Sequence, residues 1–289
     1  MIPSAFEYIA PTSLNEAVNF LSAHPDDAKL VAGGHSLIPL MKFRLAAPRY
    51  LVDLAHVPDL RYIREAQGFL ELGALTTHYE IESSALVRER LLALSETAAL
   101  IGDVQVRNRG TIGGSMAHAD PAADYPALIL ALNSDIVATG PKGQRTIKAS
   151  DLFVDLMTTS LDPNEVVTQV RIPIPPDGTG VAYEKFPHPA SRYAIVGVAA
   201  VVRLNSNGTF AQVAIGVTGA GPKPSRASAA ESSLIGSDTS DASLRKAGSA
   251  ASEETETSGD IHASDAYRKH LVEEFTVRAL RRAVDRARS

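Results

Sequence analysis

The chain contains no cysteine. That absence excludes disulfides, thiolate zinc sites and cysteine-ligated iron–sulfur clusters anywhere in its 289 residues. Any redox work would therefore rest on a cofactor that needs no thiolate anchor. No apolar run approaches the ~20 residues that a bilayer-spanning helix requires. Positive charge is not in excess: the net charge of −5 removes the electrostatic reason to expect a nucleic-acid partner. The opening Met1-Ile2-Pro3-Ser4-Ala5-Phe6-Glu7 lacks a charged n-region and an apolar h-region, so no secretory signal is expected and a cytoplasmic location follows. What remains is an ordinary globular composition, 45% hydrophobic and 21% charged, at a length that favours one large domain or two moderate ones.

Periodicity sketches mixed helix and strand. Ser13-x-x-Glu16 reads as a capping box, after which Leu14, Ala17, Val18 and Leu21 recur at helical spacing until Pro25-Asp26-Asp27 breaks the pattern. Strands are expected over Lys29–Ala32, Tyr50–Leu54, Phe69–Leu75 and Val166–Ile172. Leu91, Leu94, Ala98 and Ile101 share a helical face that Gly102 would end. Residues Asp103 to Gly110 read as polar and irregular. A helix is expected over Ala122–Leu132, and a hairpin joins Ile136–Thr139 to Thr146–Lys148. The run Pro173-Ile174-Pro175-Pro176-Asp177-Gly178 is the best linker and sets a domain boundary, 1–176 against 177–289. Beyond it Ala194–Leu204 and Thr209–Thr218 flank Ser206-Asn207-Gly208, a hairpin signal. Ser225 to Asp265 should form short surface helices and mobile loops. In the last helix Val277, Leu280, Val284 and Ala287 share a face, with the arginines on a solvated or partner-facing side.

Two glycine pairs carry the chemistry. Ala32-Gly33-Gly34-His35-Ser36 follows the apolar Leu30-Val31, and Thr111-Ile112-Gly113-Gly114-Ser115 lies some eighty residues on. Such loops can offer several backbone N–H groups to an anion with no Cβ in the way. Neither matches a known nucleotide fingerprint: the first lacks the third glycine of the dinucleotide motif, and no Gly-Lys-Ser/Thr follows either. A nicotinamide cofactor on a doubly wound sheet and ATP chemistry are both disfavoured. A long phosphorylated ligand held from two sides is the better reading.

The stretches Val31-Ala32-Gly33-Gly34-His35-Ser36-Leu37-Ile38-Pro39-Leu40-Met41-Lys42 and Gly110-Thr111-Ile112-Gly113-Gly114-Ser115 strongly resemble the FAD-binding medium subunits of the molybdenum hydroxylase (xanthine oxidase) family, above all those of aerobic carbon monoxide dehydrogenase type. The resemblance runs nearly end to end, through Ala182-Tyr183-Glu184-Lys185 to the final helix. It implies an α+β architecture: a PCMH/vanillyl-alcohol-oxidase-type FAD-binding domain of two α+β subdomains, then a smaller α+β C-terminal domain of the CO dehydrogenase flavoprotein type. It also implies that Ala32, Gly33, Gly34, His35 and Ser36, together with Thr111, Ile112, Gly113, Gly114 and Ser115, hold the FAD pyrophosphate and its flanking groups. Asp124 falls on an acidic position near the cofactor, Lys185 on a lysine near FAD, and Tyr193 on a tyrosine beside the flavin ring. Many relatives carry Asn where this chain has Ser115, a shorter group without an amide, so the hydrogen bond at that position differs.

The implied role is electron transfer. Substrate would be oxidised at a molybdenum cofactor on a large partner subunit. Electrons would cross two [2Fe–2S] clusters on a small partner to FAD on this chain, and then reach an external acceptor. The complex would be a dimer of heterotrimers. The missing cysteines suit that division, and no residue of this chain need act as acid, base, nucleophile or metal ligand. A stand-alone FAD oxidase of the same fold, or an assembly protein that has lost FAD, are the alternatives. His118 reads as packing, since no third ligand accompanies it and Asp120. Tyr183 and Phe186 read as core or interface aromatics. Arg107 and Arg109 can attract an anion or stay solvated.

Overall fold

The computed structural model describes residues 2–289 and divides its strands among four sheets. The first is small and wholly parallel: Glu7–Ile9, Tyr50–Asp53 and Ala28–Val31, with Tyr50–Asp53 in the centre. Its crossover helix, Leu14–Ala23, buries Ala17, Val18 and Leu21. The Ser13 hydroxyl caps that helix by accepting from the Glu16 N–H, as the spacing predicts. The Glu16 carboxylate reaches one residue further back than a capping box requires, to the Thr12 N–H at 2.8 Å.

The second sheet is antiparallel, in the order Ile63–Ala66, Phe69–Gly73, Val166–Pro173, Asp135–Gly140, Gly143–Lys148. The expected hairpin is its edge, pairing Ile136 with Ile147. The third sheet aligns Thr179–Pro187, Ala194–Leu204, Phe210–Thr218 and the short Ser225–Arg226. A two-stranded ribbon, Phe153–Asp155 with Thr158–Thr159, completes the set.

One short helix holds the halves together. Every residue of Tyr125–Ala131 is buried, because one side packs into the core that includes Leu70, Leu72 and Ile136 and the other meets the strand Phe210–Thr218. Such an all-apolar helix belongs between two layers. The final helix, Asp265–Arg288, crosses Thr179–Pro187 and Ala194–Leu204 and buries Leu271, Phe275, Leu280 and Val284.

Three expectations change. Asp103 to Gly110 is not irregular: Val104–Arg109 is a helix, and the Asp103 carboxylate caps it by accepting from the Gln105 and Val106 N–H groups, each at 2.9 Å. Its polar face hid the period. Ser225 to Asp265 contains the 14-residue helix Asp241–Glu254, which packs on the final helix through Leu244, Ala247, Gly248 and Ala251. Small residues let two backbones approach closely, and their low hydropathy disguises a buried face. The arginines of the last helix are largely spent within the chain. Arg282 reaches Glu184 at 2.7 Å and Glu96 at 3.0 Å, and Arg286 holds Glu96 at 2.6 Å. No helix among the described residues is long and apolar enough to cross a membrane.

Replacing the fully buried Leu128 with alanine leaves a cavity at the junction of the layers. Chemical denaturation should register a loss of about 2–5 kcal/mol, the range for large-to-small core substitutions.

Candidate functional site

The two glycine motifs arrive at one place by different routes. The first leaves the carboxyl end of the parallel strand Ala28–Val31, where open α/β sheets form ligand crevices. The second is drawn in by a backbone zipper. His78 N–H donates to Gly110 O at 2.9 Å, Ile112 N–H to Thr76 O at 3.0 Å and Gly113 N–H to Ala74 O at 2.9 Å. The zipper holds the chain leaving Phe69–Gly73 against residues 110–113.

The motifs then touch. A Cβ added to Gly33 would lie 2.0 Å from Arg109 O and 2.9 Å from Gly110 Cα, a separation no side chain tolerates. A Cβ on Gly110 would in turn lie 2.6 Å from His78 Nε2. Gly33, Gly110 and the His78 ring therefore stack directly, and the first two must lack side chains for the loops to meet.

The cleft between and around these loops has a volume of about 640 Å³, within the range of small-molecule sites. Ala32, Gly33, Gly34, His35 and Ser36 line it from one side. Thr111, Gly113, Gly114 and Ser115 line it from the other, with Asp124 and Tyr193 further along. Ile112 and Lys185 do not. Ile112 is fully buried in the core beneath.

Backbone donors are distributed unequally between the motifs. The second is not a loop but the first turn of the helix Ile112–His118, capped by Thr111. Its N–H groups are used: those of Ile112 and Gly113 bond the zipper carbonyls, and that of Gly114 bonds Thr111 Oγ1 at 3.2 Å. The first motif is open. Among the described residues the N–H groups of Gly33, Gly34, His35 and Ser36 have no acceptor. Four successive N–H groups without acceptors, on a loop that lines the cleft, are donors that an extended diphosphate can satisfy.

Beside the cleft lies a buried polar centre. The Lys185 ammonium and Asp124 carboxylate are 2.9 Å apart, and their side chains are 3% and 4% exposed. Tyr183 donates to the same carboxylate at 2.7 Å. Lys185 donates also to Leu100 O at 2.8 Å and to Arg192 O at 2.6 Å, so its three protons are all committed. Burial pushes the Asp124 carboxyl up, opposed by the charge and hydrogen bond of Lys185. Lys185 thereby fixes the segment leading to Tyr193, whose phenol is raised by burial and then by Asp120 and Asp124. Arg107 is taken by Glu82 at 2.7 Å, with Ile101 O and Gly102 O beside it, and is not free for an anion.

Two histidines on the cleft were not foreseen as such. His118, read as packing, lines it. His78 had no motif to mark it. It is buried beneath Gly110 and edge-on to Tyr125, and its imidazole is lowered to about 4 by burial first, then by His35 and Arg107. Only the three-dimensional stack reveals it, since its ring meets glycine rather than a patterned partner.

Residues 4–175 match the family "FAD binding domain in molybdopterin dehydrogenase", and residues 181–283 match "CO dehydrogenase flavoprotein C-terminal domain". The chain belongs to the medium, FAD-binding subunits of the molybdenum hydroxylases. It is 41% identical to the carbon monoxide dehydrogenase medium chain of Hydrogenophaga pseudoflava, with 98% of each chain covered. To the 6-hydroxypseudooxynicotine dehydrogenase complex subunit alpha of Paenarthrobacter nicotinovorans it is 38% identical, covering 100% of this chain and 97% of the relative. A solved carbon monoxide dehydrogenase from H. pseudoflava that lacks the Mo-pyranopterin moiety superposes with a TM-score of 0.96 at 42% identity, over 99% of both chains. The expected fold class, an FAD-binding domain followed by a flavoprotein C-terminal domain, is the one found, and the chain is an oxidoreductase subunit of this family.

His78 makes a prediction about pH. An unfolded imidazole titrates near ~6.5, whereas in the folded chain it titrates at about 4. Between these values the unfolded state binds more protons, so stability rises with pH across the window. The contribution is complete above it and lost as pH falls through it. The span corresponds to about 3 kcal/mol as an upper bound. Urea denaturation between pH 4 and 7 should show His78→Phe flattening this slope; an unchanged slope would mean that His78 is not the titrating group.

Proposed function

We propose that the cleft binds FAD and that the chain is the electron-relay subunit of a molybdenum hydroxylase complex. The observation that carries the proposal is the run of N–H groups at Gly33–Ser36 that have no acceptor among the described residues, in a motif that lines the same cleft as Thr111 and Gly113–Ser115. These groups suit the FAD pyrophosphate. Thr111 and Ser115 add hydroxyls, and Tyr193, presented by the segment that Lys185 fixes, gives an aromatic surface for the ring system. The remaining assigned residues act indirectly. Ile112 anchors the second motif in the core, and Lys185 and Asp124 join the flavin half to the C-terminal half. The domain boundary falls between residues 176 and 177, inside the proline-rich run.

Bound FAD supplies the ability to take and release one or two electrons. The chain's own residues bind, orient and shield it. His78 remains neutral near pH 7 and puts no charge beneath the loops. The rest of the machinery lies elsewhere: two [2Fe–2S] clusters on a small partner, a molybdenum cofactor and the substrate site on a large one, in a dimer of heterotrimers located in the cytoplasm. Relatives named for carbon monoxide and for 6-hydroxypseudooxynicotine resemble this chain almost equally, at 41% and 38% identity. That favours a substrate chosen by the large subunit.

The purified chain or complex should absorb at about 450 nm as a flavoprotein does. Gly33→Val should remove the flavin by driving the first motif off Arg109, with the far-ultraviolet circular dichroism of the C-terminal half retained. Full flavin occupancy in that variant would refute the assignment of the cleft. A wild-type protein without flavin absorbance would favour the assembly-protein alternative, and direct reduction of the isolated subunit by an organic substrate would favour the oxidase.

A further inference from the structure

The flavin cleft is short of positive charge for the ligand that its N–H groups fit. A diphosphate brings two negative charges. Among the charged residues lining the cleft, Asp120, Asp124, Asp162 and Glu165 stand against Lys29 and Arg192. Asp124 is matched by Lys185, and Glu165 by Arg145 at 2.6 Å, both from outside the lining. What is left balances, so a dianion arrives with no cation of its own. The lining groups that can supply charge by taking a proton are three histidines, His35, His78 and His118.

Burial separates the three. His35 is exposed on the first loop, where water and salt screen it, and His118 is half-buried in the last turn of its helix. His78 is 6% exposed. Its Nε2 packs against Gly110, the residue on which Gly33 rests, and its Nδ1 is buried with no partner. The imidazole therefore lies at the meeting point of the two motifs, unsatisfied, in a medium where a nearby anion acts strongly. The protein charges around it offer no substitute. His35 and, from the helix Val104–Arg109, Arg107 both oppose its protonation, with Arg107 offset by Glu82. Tyr125 meets the ring edge-on, its phenol kept neutral by burial. On the helix of His78 itself, Glu80 is taken by Arg61. In the adjoining helices Arg90 is held by Glu65 and Glu89, and Glu96 by Arg282 and Arg286. None of these carboxylates is free to hold a proton on His78. An anion in the cleft can.

Resting on the FAD reading above, we propose that His78 is the counter-charge of the cofactor's diphosphate: as FAD seats, the imidazole takes a proton from solvent, and below neutral pH the chain binds cofactor and proton together. The dianion moves His78 from about 4 toward the ordinary imidazole value of ~6.5. Because the bound form holds the proton more tightly, affinity for FAD rises as pH falls through the bound value and levels off only below the free one. Near pH 7 the ring stays largely neutral in both forms, so the coupling opens on acidification.

Calorimetric titration of FAD into the flavin-free full-length protein, in two buffers of different ionisation enthalpy, reads the proton count directly. Close to one proton per FAD is expected at about pH 5.5 and almost none at about pH 8, with binding about tenfold tighter at the lower pH. His78→Gln keeps a polar side chain that cannot titrate, and should abolish both effects. FAD that binds without proton uptake overturns the proposal, and so does uptake that survives in His78→Gln. Histidine NMR of the wild-type protein adds a reading that no substitution can disturb. One imidazole should titrate at about 4 without FAD and well above it with FAD; a titration that FAD does not move overturns the proposal. Failure of FAD to bind at either pH removes the FAD reading, and this one with it.

Discussion

The contact on which the cleft depends is between two backbones: Gly33 rests on the carbonyl of Arg109 and the Cα of Gly110. A parallel three-stranded sheet supplies one side of that contact and an antiparallel five-stranded sheet the other. Neither sheet contains a cofactor site by itself. The cleft exists because the loop after Ala28–Val31 can descend onto residues 109–110, with the His78 ring as the layer below. The glycines therefore do more than clear space for an anion. Gly33 is required first for backbone to meet backbone, and the N–H groups of the loop it belongs to have no protein acceptor among the described residues.

That division of labour shows which features a sequence can disclose. The two motifs, the strands beside them, the hairpin at Ser206-Asn207-Gly208 and the proline-rich break were legible, because alternation, turn chemistry and glycine pairs are local signals. The equality of the motifs was not. Thr111 caps a helix and draws the Gly114 N–H to itself, and residues 74 and 76 consume the next two donors. Partners that lie nearly forty residues apart leave no local trace. His78 was invisible for the same reason. The helix Asp241–Glu254 was misread because alanine, glycine and serine make a close helix contact without raising hydropathy. Val104–Arg109 was misread because a one-and-a-half-turn helix with no buried residue has no apolar period to detect.

The halves are joined by polar contacts as well as by the apolar helix Tyr125–Ala131. Lys185 reaches Asp124 and Leu100 on the flavin side while holding Arg192 on its own, and Arg282 and Arg286 converge on Glu96. A buried pair such as Lys185–Asp124 contributes little net stability, since desolvation offsets attraction. Its value is geometric: an ammonium with three fixed acceptors has one orientation. Arg192 stands in the left-handed region at φ 61°, a conformation that costs about 1–3 kcal/mol and persists where its surroundings over-determine it. Lys185 on its carbonyl and Gly102 O beneath its guanidinium provide those restraints. Tyr193 follows directly, so this tyrosine of the cleft is held from both halves.

The central claim is that the open N–H groups of Gly33–Ser36 receive the cofactor, while those of Ile112–Gly114 are already occupied by protein. Amide hydrogen exchange, read residue by residue with and without FAD, tests it most directly. The account predicts strong new protection at residues 33–36 on FAD binding, and at 112–114 protection that is present beforehand and changes little. Exchange at 33–36 that is indifferent to FAD, or protection that appears first at 112–114, would contradict it.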